Sequence, residues 1–304
     1  MSSIPPSSQA WRIHQKSSSH DEYDASILQN LLLKDTPTPQ PGPGEVLVRM
    51  RAASLNFRDL LIVADSPNYP VRTPTGLVPC SDGAGDVAAI GEGSQWNIGD
   101  RVVLTQNHGW LNGGQENFDL EKALGGGSMQ GTLSQYRVVE DRWLVPMPKN
   151  LSFEEAASLP TAGGTSVNAL FYSGIIREGS LDLTGKTILV QGTGGVSIFA
   201  LQLASAVGAR VIVTSSSAQK LEMAGGLGAS ELVNYKSTPE WAEEVLKVTN
   251  RKGVDLVVEV GGAGTIQQSL KATRFTGTVA VIGILTASGQ ADLVPQILYG
   301  AKNG

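Results

Sequence analysis

The apolar residues of the chain follow two different patterns, one in each half. In the first half, the segment EVLVRMRA at 45–52 alternates apolar and charged residues, which predicts an antiparallel strand with one buried face. Further strand-like segments, with turns between them, occur at 10–13, 27–33, 83–90, 101–104 and 131–139. Many short strands at close spacing are typical of a small Greek-key barrel.

From Thr187 onward, short apolar runs alternate with helical segments. The runs are rich in β-branched residues and predict strands buried on both faces, at 187–191, 210–214, 231–234, 254–260 and 277–282. Alternation of strands and helices predicts an α/β fold with an open, doubly wound parallel sheet. We expect a β domain over residues 1–160 and an α/β domain over residues 161–304.

The first turn of the α/β domain carries a glycine fingerprint. Gly192 lets the strand turn sharply, and Gly194 lets the backbone approach a pyrophosphate. Ser197 occupies the third position, where Gly or Ala is usual. Because the first N–H groups of a helix bind anions, the predicted dinucleotide site comprises Gly192, Thr193, Gly194, Gly195 and Val196. The alternative is a glycine turn that binds nothing.

Composition narrows the possible partners. The formal net charge of −5 argues against an extended nucleic-acid partner. Because Cys80 is the one cysteine, no intramolecular disulfide can form. One cysteine and three histidines also argue against a structural zinc site. No apolar run reaches the ~18–20 residues of a membrane span, and the N-terminus has no apolar signal core. We therefore expect a cytoplasmic protein that acts on a small molecule, without a membrane partner.

A series of short motifs accompanies the fingerprint in a fixed order. They are PGPGEVLV at 41–48, NFRD at 56–59, PCSDGAG at 79–85, GDRV at 99–102, GTLSQY at 131–136, ASLPTAGGT at 157–165 and EVGG at 259–262. With this set the chain resembles the medium-chain dehydrogenase/reductase superfamily, in its zinc-independent, quinone-oxidoreductase-like branch, and looks like a fungal member. The resemblance implies an N-terminal GroES-like domain, a Rossmann domain, a cleft between them, and hydride transfer from a nicotinamide cofactor.

Two departures from the family pattern matter. At the positions where related alcohol dehydrogenases hold catalytic zinc, this chain has Asn56, Ser81 and Thr161, none of them a good zinc ligand. Without a Lewis acid an alkoxide is poorly stabilised, whereas a quinone or conjugated enone is electrophilic by itself. Family members also run roughly 35–50 residues further. We therefore expect a C-terminal truncation that removes the last Rossmann strand and makes a homodimer doubtful.

The residues after the second strand of the α/β domain favour NADPH over NADH. NAD enzymes usually place an acid ~20 residues past the first glycine, but here the segment 214–217 reads TSSS. Ser215, Ser216 and Lys220 could donate hydrogen bonds to a 2′-phosphate, and the resemblance adds Tyr235 beside it. The alternative is that the serines cap a helix and Lys220 is simply solvated.

The resemblance also implies the residues at the reacting end of the cofactor. Asn56, Thr161 and Thr165 would lie near the nicotinamide, together with Gly261, Gly262, Gly283, Ile284 and Leu285. Tyr69 is the candidate proton donor, and its alternative is a loop tyrosine packed on prolines. Asn56 and Tyr69 are thus the predicted catalytic residues.

Three other groups admit structural interpretations. Arg58 and Asp59 are predicted to form a structural ion pair rather than a catalytic one. His108 lies in the glycine-rich segment 106–129, which is typical of a lid or a disordered loop. Cys80 is expected to be a core residue.

The sequence therefore favours an NADPH-dependent, zinc-independent reductase of quinones or α,β-unsaturated carbonyl compounds. A trans-acting enoyl reductase of polyketide biosynthesis would share every motif. A non-catalytic NADPH-binding protein, or a degenerate truncated homologue, is the third hypothesis, and a zinc alcohol dehydrogenase fits poorly.

Overall fold

The computed structural model describes residues 4–14, 21–112, 117–177 and 179–283. The chain divides after Thr161 into a first unit, Met1–Thr161, and a second unit, Ala162–Gly304. The first unit is built mainly from antiparallel strands, and the second alternates strands with helices.

The first unit contains seven described strands in two antiparallel groups. They are β1 (Ser7–Ile13), β2 (Leu31–Pro37), β3 (Glu45–Ser54), β4 (Asp82–Ile90), β5 (Arg101–Leu104), β6 (Tyr136–Glu140) and β7 (Leu144–Pro146). Strands β1 and β2 pair with each other, and the other five form a sheet in the order β6-β3-β4-β5-β7. Val46 and Val48 of β3 point into one core together with Val87 and Leu104, as the alternation at 45–52 predicts.

Two short helices complete the first unit, α1 (Phe57–Val63) and α2 (Phe153–Ala157). Helix α2 packs Ala156 and Ala157 against Val103 of β5. It begins with a capping box, in which Ser152 N donates to Glu155 Oε2 at 2.7 Å and Glu155 N donates to Ser152 Oγ at 3.2 Å.

Local structure differs from the sequence prediction in the segment 27–33. Instead of one strand, a 3₁₀ helix at Ala25–Asn30 precedes β2. Asp24 caps this helix by accepting from Ser26 N at 2.9 Å. Asn30, which is buried, donates from Nδ2 to Val63 O at 2.9 Å, and this bond ties the helix to α1.

The segment 106–129, predicted to be a lid or a disordered loop, is packed in its described parts. Leu124 is fully buried in the core of the sheet, and a 3₁₀ turn forms at Leu120–Lys122. His108 stacks on Trp143 with ring centroids 5.2 Å apart. Burial lowers the pKa of His108 to about 3, so the folded state disfavours the imidazolium and becomes less stable as the pH falls from 6.5 toward 3.

The described part of the second unit has five parallel strands and five α-helices. The strands are β8 (Thr187–Gln191), β9 (Arg210–Ser215), β10 (Glu231–Asn234), β11 (Val254–Glu259) and β12 (Thr273–Val281). The helices are α3 (Gly164–Phe171), α4 (Gly195–Ala206), α5 (Ala218–Gly226), α6 (Trp241–Val248) and α7 (Ile266–Ala272). The strand order β10-β9-β8-β11-β12 places the connection from β10 to β11 across the sheet, so the topology reverses between β8 and β11.

Alternate residues of the central strands face two separate cores. Ile188 and Val190 of β8 join the core that contains Leu201 of α4. Leu189, between them, joins the core that contains Trp241 and Val245 of α6. Helices therefore cover both faces of the sheet, which confirms the predicted doubly wound α/β fold.

Two further expectations concern the C-terminal residues and membrane-spanning segments. The residues after Gly283, on which the predicted loss of a last strand depends, lie outside the described part of the chain. Within the described ranges, no helix combines the length and apolar character that crossing a membrane requires.

Candidate cofactor-binding site

The glycine turn after β8 leaves open space above the start of helix α4. Gly192 has a φ of +70°, which favours glycine, and its N–H donates to Thr214 O at 2.7 Å. A Cβ added at Gly192 or Gly194 would meet no heavy atom within 4 Å. Helix α4 begins at Gly195, so its first N–H groups have no partners within the helix. The turn therefore offers the space and donors that a pyrophosphate needs.

At the third fingerprint position, the structure accommodates Ser197 in place of the usual glycine or alanine. It is 2% exposed, and its hydroxyl donates to Gln191 O at 2.6 Å. The side chain is small enough to fit between α4 and β8, and its one polar group is satisfied by the end of the strand.

A buried carboxylate organises the opposite side of this turn. Glu259, at the end of β11, is fully buried and accepts from Gly261 N at 2.8 Å and Gly262 N at 2.9 Å. The hydroxyls of Thr265 and Ser269 also donate to it. These groups all donate, which suits a carboxylate because it can only accept.

Gln191, at the end of β8, extends the network between the two strands. Its Nε2 donates to Glu259 Oε2 at 2.7 Å, and its Oε1 accepts from Gly261 N at 3.3 Å. The peptide of Gly283 donates to Glu259 O at 3.3 Å. The predicted residues Gly261, Gly262 and Gly283 are thus held beside the ends of β8 and β11.

The sequence prediction missed Gln191, Glu259 and Ser269 as site residues. For Gln191 and Glu259 the sequence does contain a signal. Each is a polar residue that ends a mostly apolar strand, at the edge where α/β folds bind ligands. The predicted residues Ile284 and Leu285 lie outside the described residues.

The end of β9 carries the predicted 2′-phosphate residues. Ser215 is 3% exposed, and its Oγ accepts from Ser217 N at 3.4 Å. Ser217 caps α5 by accepting from Lys220 N at 3.3 Å, so the capping alternative holds for this serine. Ser216 is half-buried and Lys220 is exposed, as is Tyr235, whose N–H donates to Ser215 O at 3.2 Å.

Thr165 lies in α3, the helix that packs against the start of α4. Ser166, its neighbour, donates from Oγ to Val196 O at 2.8 Å. A Cβ added at Gly195 would lie 3.3 Å from Ala162 Cβ. Helix packing here therefore depends on small residues at the beginning of α4.

In the first unit, Asp82 forms hydrogen bonds with Ser81 and Thr161, two of the three residues at the expected zinc-ligand positions. This fully buried carboxylate accepts from Thr161 Oγ1 at 2.5 Å and Ser81 Oγ at 2.7 Å, and Thr161 N donates to it at 3.0 Å. Both hydroxyls therefore act as hydrogen-bond donors to a carboxylate. Zinc in proteins prefers thiolate, imidazole and carboxylate ligands, so the hydroxyls of Ser81 and Thr161 do not fit the metal.

The remaining residue of that set, Asn56, lies directly before α1. Its N–H donates to Asp59 Oδ2 at 2.8 Å, and its buried Nδ2 has no hydrogen-bond partner among the described residues. The amide could therefore donate to a bound molecule. Burial raises the pKa of Asp59 to about 6, against the opposing effect of Arg58.

Tyr69 lies on the segment that follows α1. Its hydroxyl accepts from Arg58 Nη2 at 3.0 Å, and its side chain borders a cavity of about 390 Å³ together with Leu61, Ile62 and Pro70. Arg58 also forms the predicted ion pair with Asp59, with 3.7 Å between Nη1 and Oδ1.

Cys80 is a core residue, as predicted. It is 2% exposed, and burial raises the pKa of its thiol. Across the described ranges, no cluster of three His, Cys, Asp or Glu side chains could hold a metal ion.

Comparisons with known proteins cover both units. Residues 42–149 match the family model described as alcohol dehydrogenase GroES-like domain, and residues 195–302 match that described as zinc-binding dehydrogenase. A zinc-type alcohol dehydrogenase-like protein of Schizosaccharomyces pombe is 43% identical over 92% of this chain and 79% of its own length.

Two further similarities come from bacteria. A quinone oxidoreductase of Pseudomonas aeruginosa is 34% identical over 85% of this chain and 69% of its own length. The crystal structure of a protein described as an alcohol dehydrogenase, from Sinorhizobium meliloti, superposes on this chain with a TM-score of 0.82 at 35% identity. That similarity covers 98% of this chain and 83% of the bacterial one.

The Glu259 network yields a direct prediction. In Glu259→Gln the amide nitrogen replaces one acceptor oxygen and faces donors. We therefore expect a free energy of unfolding that is lower by about 1–3 kcal/mol and roughly tenfold weaker binding of a nicotinamide cofactor. Urea unfolding and fluorescence titration measure the two effects. Glu244→Gln, which removes only an exposed ion pair with Lys247, serves as the control and should change stability by less than about 0.5 kcal/mol. Unchanged affinity of Glu259→Gln for a nicotinamide cofactor would contradict a role of this carboxylate in the cofactor site.

Proposed function

Because the chain belongs to the medium-chain dehydrogenase/reductase superfamily and is therefore an oxidoreductase, we propose that it is an NADPH-dependent, zinc-independent reductase. Its acceptor in this proposal is a quinone or an α,β-unsaturated carbonyl compound. The observation that carries the proposal is that Ser81 and Thr161, at two of the three expected zinc-ligand positions, have hydroxyls that donate to Asp82. A conjugated acceptor needs no Lewis acid, because its own carbonyl group makes the β-carbon electrophilic.

The second unit supplies the residues that would hold the cofactor. The free N–H groups of Gly195 and Val196 would bind the pyrophosphate, in the open space above Gly192 and Gly194. Gly261 and Gly262 would lie close to the cofactor in the position that Glu259 gives them. NADPH, when bound, would supply a hydride to the acceptor.

The preference for NADPH follows from the end of β9. A carboxylate there would repel a 2′-phosphate, but positions 214–217 carry only hydroxyl side chains. Ser216 and the exposed Lys220 would donate to the phosphate, and Tyr235 would lie against the adenosine. Capping of α5 by Ser217 is compatible with this, since the capping hydroxyl belongs to a different serine.

The first unit supplies the candidate catalytic groups. The buried amide of Asn56 would donate to a bound carbonyl or carboxamide oxygen. Tyr69 would provide the proton that a reduced α,β-unsaturated carbonyl compound needs. Thr161 would be held in place by the two hydrogen bonds that it donates to Asp82.

Lys220 is expected to set the cofactor preference. We predict roughly 10–100-fold tighter binding of NADPH than of NADH, because a charge-assisted hydrogen bond contributes about 1.5–3 kcal/mol. Lys220→Ala should reduce the ratio of the two dissociation constants by about tenfold, mainly by weakening NADPH binding. Lys252→Ala, another exposed lysine, is the control and should leave the ratio unchanged. Equal affinity of the wild-type protein for both cofactors would refute the phosphate-site assignment.

The reaction itself is tested with a panel of acceptors. NADPH oxidation, followed by the loss of its absorbance, should be measurable with benzoquinones, naphthoquinones or cyclic and linear enones. Activity should persist after dialysis against EDTA, and metal analysis should find no stoichiometric zinc. Cofactor binding without turnover of any acceptor would favour a non-catalytic NADPH-binding protein. Loss of activity on chelation, with recovery on adding zinc, would refute the metal-free reaction.

A further inference from the structure

Arg58 makes two contacts with Tyr69, the candidate proton donor. Its Nη2 donates to the hydroxyl oxygen of Tyr69 at 3.0 Å. The guanidinium carbon also lies 5.6 Å from the centroid of the Tyr69 ring. One arginine therefore contacts both the hydroxyl and the ring of the same tyrosine.

The position of Arg58 is itself fixed by its surroundings. Its Nη1 donates to the carbonyl of the fully buried Leu124 at 3.0 Å and lies 3.7 Å from Asp59 Oδ1. The side chain of Arg58 is only 13% exposed. Because a guanidinium is planar, fixing one nitrogen in this way also fixes the direction in which the other donates.

Gly126 makes room for the pair. A Cβ added at this residue would collide with Arg58 Nη2 and with the hydroxyl oxygen of Tyr69, and it would lie 2.8 Å from Ile62 Cδ1. The backbone of Gly126 therefore packs directly against the contact between the guanidinium and the phenol. A larger residue at this position would have to displace the ends of both side chains.

We propose that Arg58 is a positioning residue that orients the hydroxyl of Tyr69 for proton donation. A phenol oxygen that accepts from Arg58 must direct its own hydrogen elsewhere, so the O–H group remains available as a donor. The inference rests on the proposed reductase function, and it adds the residue that determines how Tyr69 presents its proton.

In the proposed reduction, NADPH, when bound, would supply a hydride from its C4–H bond and become NADP⁺. The hydride would form a C–H bond at the β-carbon of the acceptor, while the electron pair of the C=C bond moves to give an enolate. The O–H bond of Tyr69 then breaks, and its proton forms a C–H bond at the α-carbon. The resulting phenolate oxygen faces the positive charge of Arg58 and recovers a proton from water.

A double-mutant cycle tests the assignment. Tyr69→Phe should lower kcat for an enone by about 100-fold, which is the lower end of general-acid catalysis. Arg58→Gln should lower kcat by about tenfold in the wild-type background and by less than about twofold in the Tyr69→Phe background, while the dissociation constant of NADPH stays unchanged. Arg142→Gln, which removes a 62% exposed arginine, is the control and should leave kcat unchanged. An equal loss in both backgrounds would mean that Arg58 acts independently of Tyr69 and would overturn the proposal.

A spectroscopic readout separates the position of Tyr69 from its chemistry. The protein is labelled with 3-fluorotyrosine, and its fluorine NMR spectrum is recorded. The resonance that is missing from the spectrum of Tyr69→Phe is assigned to Tyr69 among the six tyrosines. Arg58→Gln should shift that resonance and leave the others in place, and an unshifted resonance would overturn the contact. If the wild-type protein reduces no acceptor, the proposed function fails, and the fluorine shift still decides whether Arg58 holds Tyr69.

Two further variants keep the test decisive if Arg58→Gln does not fold. Arg58→Lys retains the charge beside Asp59 but cannot donate in a planar fork, so it should shift the Tyr69 resonance and lower kcat. Gly126→Ala should do the same by displacing both side chains. Wild-type kcat and an unshifted resonance in both variants would overturn the proposal.

Discussion

The burial of one carboxylate constrains the whole candidate cofactor site. Glu259 has no solvent exposure, so every hydrogen bond that it loses in leaving water must be replaced inside the protein. The replacements come from the turn at Gly261 and Gly262, from two hydroxyls, and from Gln191. Because these donors belong to β8, α7 and the turn between β11 and α7, satisfying one side chain fixes the ends of two strands and a helix. The glycine turn above α4 begins at the next residue after Gln191, so its geometry depends on the same constraint.

Asp82 has a comparable role in the first unit. It too is fully buried, and it binds the hydroxyls of Ser81 and Thr161 rather than leaving them free to coordinate a metal. With hydroxyls that donate to a carboxylate in place of metal ligands, the site has a hydrogen-bonded cluster instead of a Lewis acid. Such a site favours acceptors that are already electrophilic, which is the physical basis for proposing conjugated carbonyl compounds and quinones as substrates.

Local pattern was sufficient to predict much of the fold, because strands and turns depend on neighbouring residues. The strand Thr187–Gln191 and the burial of both faces of its sheet follow from the periodicity of apolar residues. The prediction of one strand over 27–33 is wrong for the first part of the segment. Its apolar residues suit a strand, but Asp24 caps a 3₁₀ helix there. The polar networks were missed for a different reason. Gln191 meets Glu259 across 68 residues, and Thr161 meets Asp82 across 79, so no local pattern reports either contact.

In the proposed reaction, this oxidoreductase moves a hydride from NADPH to a conjugated acceptor without a metal. A direct test uses NADPH with deuterium at both C4 positions, an enone acceptor and protein dialysed against a chelator. We expect mass spectrometry and NMR of the product to find one deuterium at the β-carbon and a solvent-derived hydrogen at the α-carbon. A product without deuterium at the β-carbon, or turnover that appears only when zinc is added, would contradict the proposal.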